Sequence, residues 1–73
     1  MPINRSDLEE IFTYHPPNPV QTEQYNRIRT AAKEFAEILL DNTPLCPDQT
    51  GAIRRLRECV MIANSAIALK GKY

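Results

Sequence analysis

Two proline-containing corners place the strongest constraint on the fold of this 73-residue chain. Pro16, Pro17 and Pro19 form the first corner, and Pro44 and Pro47 bound the second. Proline fixes φ, has no amide hydrogen to donate, and disfavours the α conformation in the residue before it. A helix therefore cannot continue through either corner, and the chain is divided into a short N-terminal arm and two longer segments.

Both longer segments have the apolar period of amphipathic helices. Asn18 followed by Pro19 predicts the N-cap and first turn of a helix that ends at Asp41-Asn42-Thr43-Pro44. The next helix is expected to run from the second corner to Gly71, a residue suited to a C-terminal stop. The apolar positions lie three or four residues apart: Tyr25, Ile28, Ala32, Phe35, Ala36 and Leu39, then Ile53, Leu56, Val60, Ala63 and Ile67. These two stripes predict an antiparallel helical hairpin.

The N-terminal arm begins with a capping-box pattern. In Ser6-Asp7-Leu8-Glu9 the serine is the expected N-cap and Glu9 the residue that reaches back to it. A short helix through about Phe12 is expected to follow. Its apolar side should dock onto the hairpin, because so short a helix is unstable alone.

The predicted fold is all-α, a short N-terminal helix plus an antiparallel two-helix hairpin. It forms a single domain over residues 1–73, with an arm at 1–17 and a hairpin at 18–71. So short a chain buries too little apolar surface to offset its conformational entropy easily. Leu40, Met61 and Ile62 lie partly off the main stripes, which favours assembly into a homo-oligomer.

The charge and hydropathy of the sequence limit the kinds of molecule that the protein is expected to bind. Nine basic and nine acidic side chains give zero net charge, so the long-range attraction to DNA, RNA or an anionic membrane is missing. No apolar run approaches the roughly 20 residues of a membrane span. The acidic stretch up to Phe12 has no apolar signal-peptide core, and a cytoplasmic location is expected.

Few residues are suited to catalysis or metal binding. Cys46 and Cys59 have no paired Cys/His spacing, so no metal is expected. In a reducing compartment they are interpreted as small packing residues, the alternative being a disulfide. Two glycines exclude a Gly-rich nucleotide loop. His15 remains as a general base without a nearby carboxylate to orient it, and neither enzyme activity nor a cofactor is expected.

Several residues are suited to ligand binding, each with a structural alternative. Tyr14 beside rigid prolines can stack on a nucleobase or can simply pack the corner onto the hairpin. Arg29 and Lys33, four residues apart, can hold phosphate oxygens at a helix–helix seam or form a solvated rim with Glu37. The cluster of Arg54, Arg55 and Arg57 can meet a partner's acids, a bound anion or only solvent.

Three motifs occur in order along the chain: Phe12-Thr13-Tyr14-His15-Pro16-Pro17, then Tyr25 to Lys33 running on to Cys46-Pro47-Asp48, then Val60 to Ala68. Together they resemble the hairpin domain shared by phage anti-CBASS and anti-Thoeris sponge proteins, the anti-CBASS branch more closely. The similarity covers about Phe12 to Ala68. Ile62 stands where many relatives have tryptophan, and Arg29 where lysine is frequent, so ligand preference is expected to differ.

The resemblance implies a phage homohexamer that sequesters cyclic di- and trinucleotide messengers, such as 3′,3′-cyclic GMP-AMP, without cleaving them. Immune effectors of the infected bacterium are thereby deprived of their signal. By the same resemblance Tyr14 would stack on a base and Arg29 would pair with a phosphate. The implied cyclic-dinucleotide site is Tyr14, His15, Arg29 and Lys33, and the nearest candidates for a trinucleotide site are Arg27, Thr30 and Ala31.

Two other hypotheses stay open. One is a homo-oligomeric protein-interaction module without a small-molecule ligand. The other is a small enzyme that degrades the same messengers with His15 as its base. The first predicts assembly without nucleotide binding, and the second predicts turnover.

Overall fold

The computed structural model describes residues 2–73, and every regular element in that range is helical. A 3-10 helix at Arg5–Asp7 leads into α1 (Leu8–Ile11), which is followed by α2 (Pro19–Asn42) and α3 (Pro47–Ala68). The all-helical fold with a hairpin-like helix pair is thus confirmed. Both proline corners lie between helices, as the backbone restrictions of proline require.

The start of α2 is built as its sequence predicts. Asn18 is the N-cap, and its Oδ1 accepts a hydrogen bond of 2.8 Å from the amide of Gln21. The Gln21 Oε1 accepts one of 3.1 Å from the Asn18 amide, which completes a capping box. Pro19 occupies the first turn, where a missing amide hydrogen costs nothing.

Two glutamine side chains join the helices, one at each end of the hairpin. At the closed end, the buried Gln49 donates from Nε2 to the carbonyl and Oγ1 of Thr43, at 3.2 and 3.0 Å. At the open end, Gln21 Nε2 donates to the carbonyl of Ile67 at 3.2 Å. The Gln49 bonds hold the start of α3 against the end of α2, and the Gln21 bond holds the start of α2 against the end of α3.

The contact between α2 and α3 follows the predicted stripes except at one residue. The half-buried apolar positions are Tyr25, Ile28, Ala32, Ala36 and Leu39 on α2 with Ile53, Leu56, Val60, Ala63 and Ile67 on α3. Phe35 was expected among them but is 51 % exposed. Consecutive helical residues point about 100° apart, and with Ala36 turned toward α3 the neighbouring Phe35 side chain points outward.

Both ends of the chain differ from prediction in detail. The Ser6 capping box is wrong: Asn4 precedes the first helical turn, and its amide donates to Asp7 Oδ2 at 2.9 Å. At the other end, α3 ends at Ala68 rather than at Gly71. Gly71 adopts a φ of 74°, which favours glycine, and its amide donates to the Ala66 carbonyl at 3.0 Å.

The hairpin forms no closed core within residues 2–73. Leu69 is the single buried apolar residue in that range, and no side chain there is fully buried. Leu40, Met61 and Ile62 are exposed, as predicted for positions off the stripes. None of the helices described in this range is long and apolar enough to span a membrane.

Candidate functional site

Side chains from the proline corner and from both long helices line one groove at the open end of the hairpin. This surface, called the Tyr14 groove, is formed by Tyr14, His15, Pro17, Tyr25, Arg29, Met61, Asn64, Ser65 and Ala68. Three of the residues predicted for a cyclic-dinucleotide site, Tyr14, His15 and Arg29, therefore meet on one surface. The corner supplies the first two because its extended backbone crosses the end of the hairpin.

The two corner side chains differ in how firmly they are held. Tyr14 is 80 % exposed, and its ring is open to a stacking partner. His15 is half-buried, and its Nε2 lies 2.6 Å from the carbonyl oxygen of Glu10. A carbonyl oxygen only accepts, so Nε2 carries the proton in this bond and Nδ1 is the ring nitrogen left to accept in the neutral form.

Arg29 connects the Tyr14 groove to a second surface. Its Nη1 donates to Asn26 Oδ1 at 3.3 Å, which leaves most of the guanidinium donors available. Beside it lies a depression between α2 and α3, called the cationic depression, which Lys33 and Arg57 also line. The remaining lining is apolar: Ala32, Ala36, Ile53, Leu56, Val60 and Met61.

The three cations of this depression are not neutralised by the chain itself. The ion pairs formed within residues 2–73 are Arg55 with Glu58 at 3.7 Å and Lys72 with Glu10 at 2.7 Å. Lys33 does not pair with Glu37, the neighbour expected in a solvated rim. A chain of zero net charge thus carries three cationic side chains, without an ion pair inside residues 2–73, around a depression whose own surface is almost wholly apolar.

The residues predicted for a trinucleotide site lie on a different face of α2. Arg27, Thr30 and Ala31 line a shallow surface together with Glu23 and Glu34. The two carboxylates oppose the single arginine there. In one chain this surface is therefore less favourable to phosphate than the cationic depression.

Sequence reasoning missed several groove residues, most of them on α3. Asn64, Ser65 and Ala68 lie three, four and seven residues after Met61, so that one side of the helix presents all four. Arg57 was grouped with Arg54 and Arg55, whereas it alone of the three lines the depression. The signal that could have found them is the helical period carried over from the apolar stripe to its polar edge.

Metal and disulfide chemistry have little support here. Within residues 2–73 there is no cluster of three histidine, cysteine or acidic side chains that could hold a metal ion. Both cysteines are free. Cys46 is half-buried, but Cys59 is exposed, so interpreting Cys59 as a packing residue is wrong for the single chain.

A family model described as Acb2/Tad1, hairpin domain, matches residues 5–68. The matched range contains α1, both proline corners and both helices of the hairpin. No curated protein and no solved structure matches the chain.

Proposed function

We propose that this chain, which belongs to the Acb2/Tad1 hairpin domain family, captures cyclic dinucleotides in the Tyr14 groove and releases them unchanged. Membership of the family is consistent with a phage sponge protein. The proposed ligands are messengers of the 3′,3′-cyclic GMP-AMP type. Their capture in the cytoplasm of an infected bacterium would prevent activation of immune effectors.

The observation that carries the proposal is the meeting of Tyr14 and Arg29 in one groove. These residues are 15 positions apart and supply the two kinds of contact that a nucleotide needs. An exposed aromatic ring stacks on any base, and a guanidinium binds two phosphate oxygens in a fixed geometry. Lys33 adds a second positive charge one helical turn from Arg29.

His15 is assigned to the same site as a polar contact. Its bond to the Glu10 carbonyl fixes the ring, so Nδ1 can accept a hydrogen bond from a ligand with little entropy lost. No carboxylate lines the Tyr14 groove among the described residues, and a histidine base would lack an acidic partner. These features support binding without cleavage, in keeping with a family of sponge proteins.

We further propose that the ligand lies between subunits of a homohexamer. A cyclic dinucleotide of two like halves has a two-fold axis, so Tyr14 and Arg29 from two chains can grip both halves. The large exposed apolar side chains of the hairpin supply surface for such an assembly. Cyclic trinucleotides are assigned to Arg27, Thr30 and Ala31 around a three-fold axis, where one Arg27 from each chain would contact one phosphate.

The alternative function is a protein-interaction module without a small-molecule ligand. The observation that favours it is the same exposed apolar surface, which would serve assembly or partner binding alone. This alternative predicts the oligomer but assigns no role to the cationic depression.

Isothermal titration with 3′,3′-cyclic GMP-AMP separates the two functions. The proposal predicts saturable binding, with one ligand for every two chains, and weaker binding of the linear dinucleotide that lacks the ring closure. A panel of cyclic di- and trinucleotides that produces no binding heat, with an intact oligomer, would support the interaction module instead.

A further inference from the structure

Asn64 is the one described residue that buries a side-chain polar atom without a hydrogen-bond partner. Its Oδ1 is shielded from solvent, and no donor within residues 2–73 reaches it. The residue lies on α3 in the wall of the Tyr14 groove. An acceptor removed from water without a partner costs free energy, and such groups in folded proteins call for an explanation in terms of function or a missing partner.

The carboxamide can satisfy this oxygen without any change in packing. Its oxygen and NH₂ group have nearly the same size and shape, so a half-turn of the amide exchanges them. The turned amide places its NH₂ group at the buried position and its oxygen on the opposite side of the carboxamide. Asn64 can therefore offer either an acceptor or a donor to a molecule lying against Tyr14 and Arg29.

We propose that Asn64 is a base-reading residue of the Tyr14 groove, whose carboxamide hydrogen bonds to the edge of the nucleobase stacked on Tyr14. The inference rests on the proposed function, because it requires a nucleotide in that groove. Base edges carry both donors and acceptors, and the amide group of Asn64 that faces the groove can bond to one of them. Tyr14 contributes stacking that is tolerant of base identity, so base discrimination falls to Asn64.

The test uses two variants of the assembled protein. Asn64→Leu keeps the size of the side chain and removes its hydrogen bonding, whereas Asn64→Asp keeps the size and accepts only. Affinities for cyclic di-GMP and cyclic di-AMP are measured by titration. Asn42→Leu is the matched control, since Asn42 lies at the closed end of the hairpin, away from the groove.

Asn64→Leu is expected to weaken the binding of both ligands about tenfold, the effect of losing one hydrogen bond. Asn64→Asp is expected to shift the affinity ratio at least tenfold toward the guanine ligand. The Watson–Crick edge of guanine offers neighbouring N–H donors to a carboxylate, whereas adenine places a lone pair beside its amino group. The control should leave both affinities unchanged.

The melting temperature of the ligand-free protein distinguishes base reading from a structural role of Asn64. A structural role predicts that Asn64→Leu lowers it. Removing an unpaired buried acceptor should leave the melting temperature of Asn64→Leu unchanged or raised. A lowered melting temperature, an altered oligomer mass, or a ligand ratio unchanged in Asn64→Asp would overturn the inference. A parent protein that binds neither ligand nor any other cyclic nucleotide would instead refute the proposed function, and the inference with it.

Discussion

Tyr14 combines high exposure with a backbone that the following prolines restrict. The corner that carries the ring therefore loses little backbone entropy when a base stacks on it. Tyr14→Ala should remove roughly 1–3 kcal/mol of stacking per base, a loss of about 5- to 150-fold in cyclic-dinucleotide affinity at 1.4 kcal/mol per factor of ten. Titration calorimetry measures it.

Tyr14→Phe is the matched control because it keeps the ring and removes only the hydroxyl. Its affinity should stay within a few-fold of the parent. An alanine variant that binds as tightly as the parent would mean that the ligand does not stack on Tyr14.

Arg29 and Arg27 allow a paired test, because they carry the same charge on different faces of one helix. Arg29→Glu should abolish cyclic-dinucleotide binding while the oligomer survives, since it places a carboxylate where a phosphate is expected. Arg27→Glu should leave dinucleotide binding intact and remove trinucleotide binding. Titration of both ligands against both variants gives the four values needed.

The assignment of two separate sites fails if both variants lose both ligands. Equal loss would indicate a single shared surface or a damaged assembly. Size-exclusion chromatography with light scattering separates these two explanations.

Individual residues show which parts of the site can be predicted from the sequence and which cannot. Tyr14, His15 and Arg29 were selected from the sequence, the first from its proline context. Phe35 was misplaced because an apolar side chain adjacent to a stripe looks the same in sequence as one on it. The unpaired buried oxygen of Asn64 could not be predicted from the sequence, since it is visible only in the folded structure.

At the level of elements, the C-terminal tail holds the N-terminal arm that carries the site. Lys72 Nζ lies 2.7 Å from Glu10 Oε1, and the Tyr73 hydroxyl lies 3.4 Å from Asp7 Oδ1. The main chain of Glu10 in turn accepts the bond from His15. The tail is thus connected to the Tyr14 groove through a single residue of α1.

Deletion of Lys72 and Tyr73 should loosen the arm without unfolding the hairpin. Amide hydrogen exchange is expected to rise across residues 5–15 and to stay unchanged in α2 and α3. Cyclic-dinucleotide affinity should fall only modestly, since exposed ion pairs contribute little. Uniformly faster exchange throughout the chain would contradict the expectation that the arm loosens while the hairpin stays folded.

The same contact has a defined pH dependence. The hydrogen bond that Lys72 Nζ donates to the Glu10 carboxylate raises the pKa of Lys72. A raised folded-state pKa gives a contribution that is complete below the unfolded pKa and is lost as pH rises through the folded one. Arm exchange, corrected for its intrinsic pH dependence, should stay slow at neutral pH and increase only in strongly alkaline solution. An arm released near neutral pH would show that this bond does not hold it.

The helices themselves were largely predictable. Proline corners and the Asn18 cap are local signals, and their physics does not depend on the rest of the fold. The arm was less predictable, because Ser6 and Asn4 are both acceptable caps and local propensity does not choose between them. The bonds from Gln21 and Gln49 across the hairpin have no sequence signature.

At the scale of the molecule, a hairpin without a closed core is the main argument for assembly. Phe35→Glu places a charge on an exposed apolar position of α2 and should reduce the oligomer from the proposed six 8.3 kDa chains to smaller species. Light scattering measures the mass. Gln24→Glu, the same added charge at an exposed polar position of α2, is the control and should leave the mass unchanged.

An unchanged mass in Phe35→Glu would place that residue outside the interface. The hexamer itself could not be predicted from periodicity or composition, which indicate only that apolar surface is left over. The number of subunits follows from the family resemblance alone.

The central claim is reversible capture of an intact ligand, and its most direct test follows the ligand itself. Purified protein is incubated with 3′,3′-cyclic GMP-AMP, the protein is removed by filtration, and the filtrate is chromatographed before and after heat denaturation. Reversible capture predicts depletion of the ligand before heating and full recovery of the unaltered ligand afterwards. Recovery of altered products would show an enzyme, and no depletion at protein concentrations in excess of the ligand would contradict capture of this messenger.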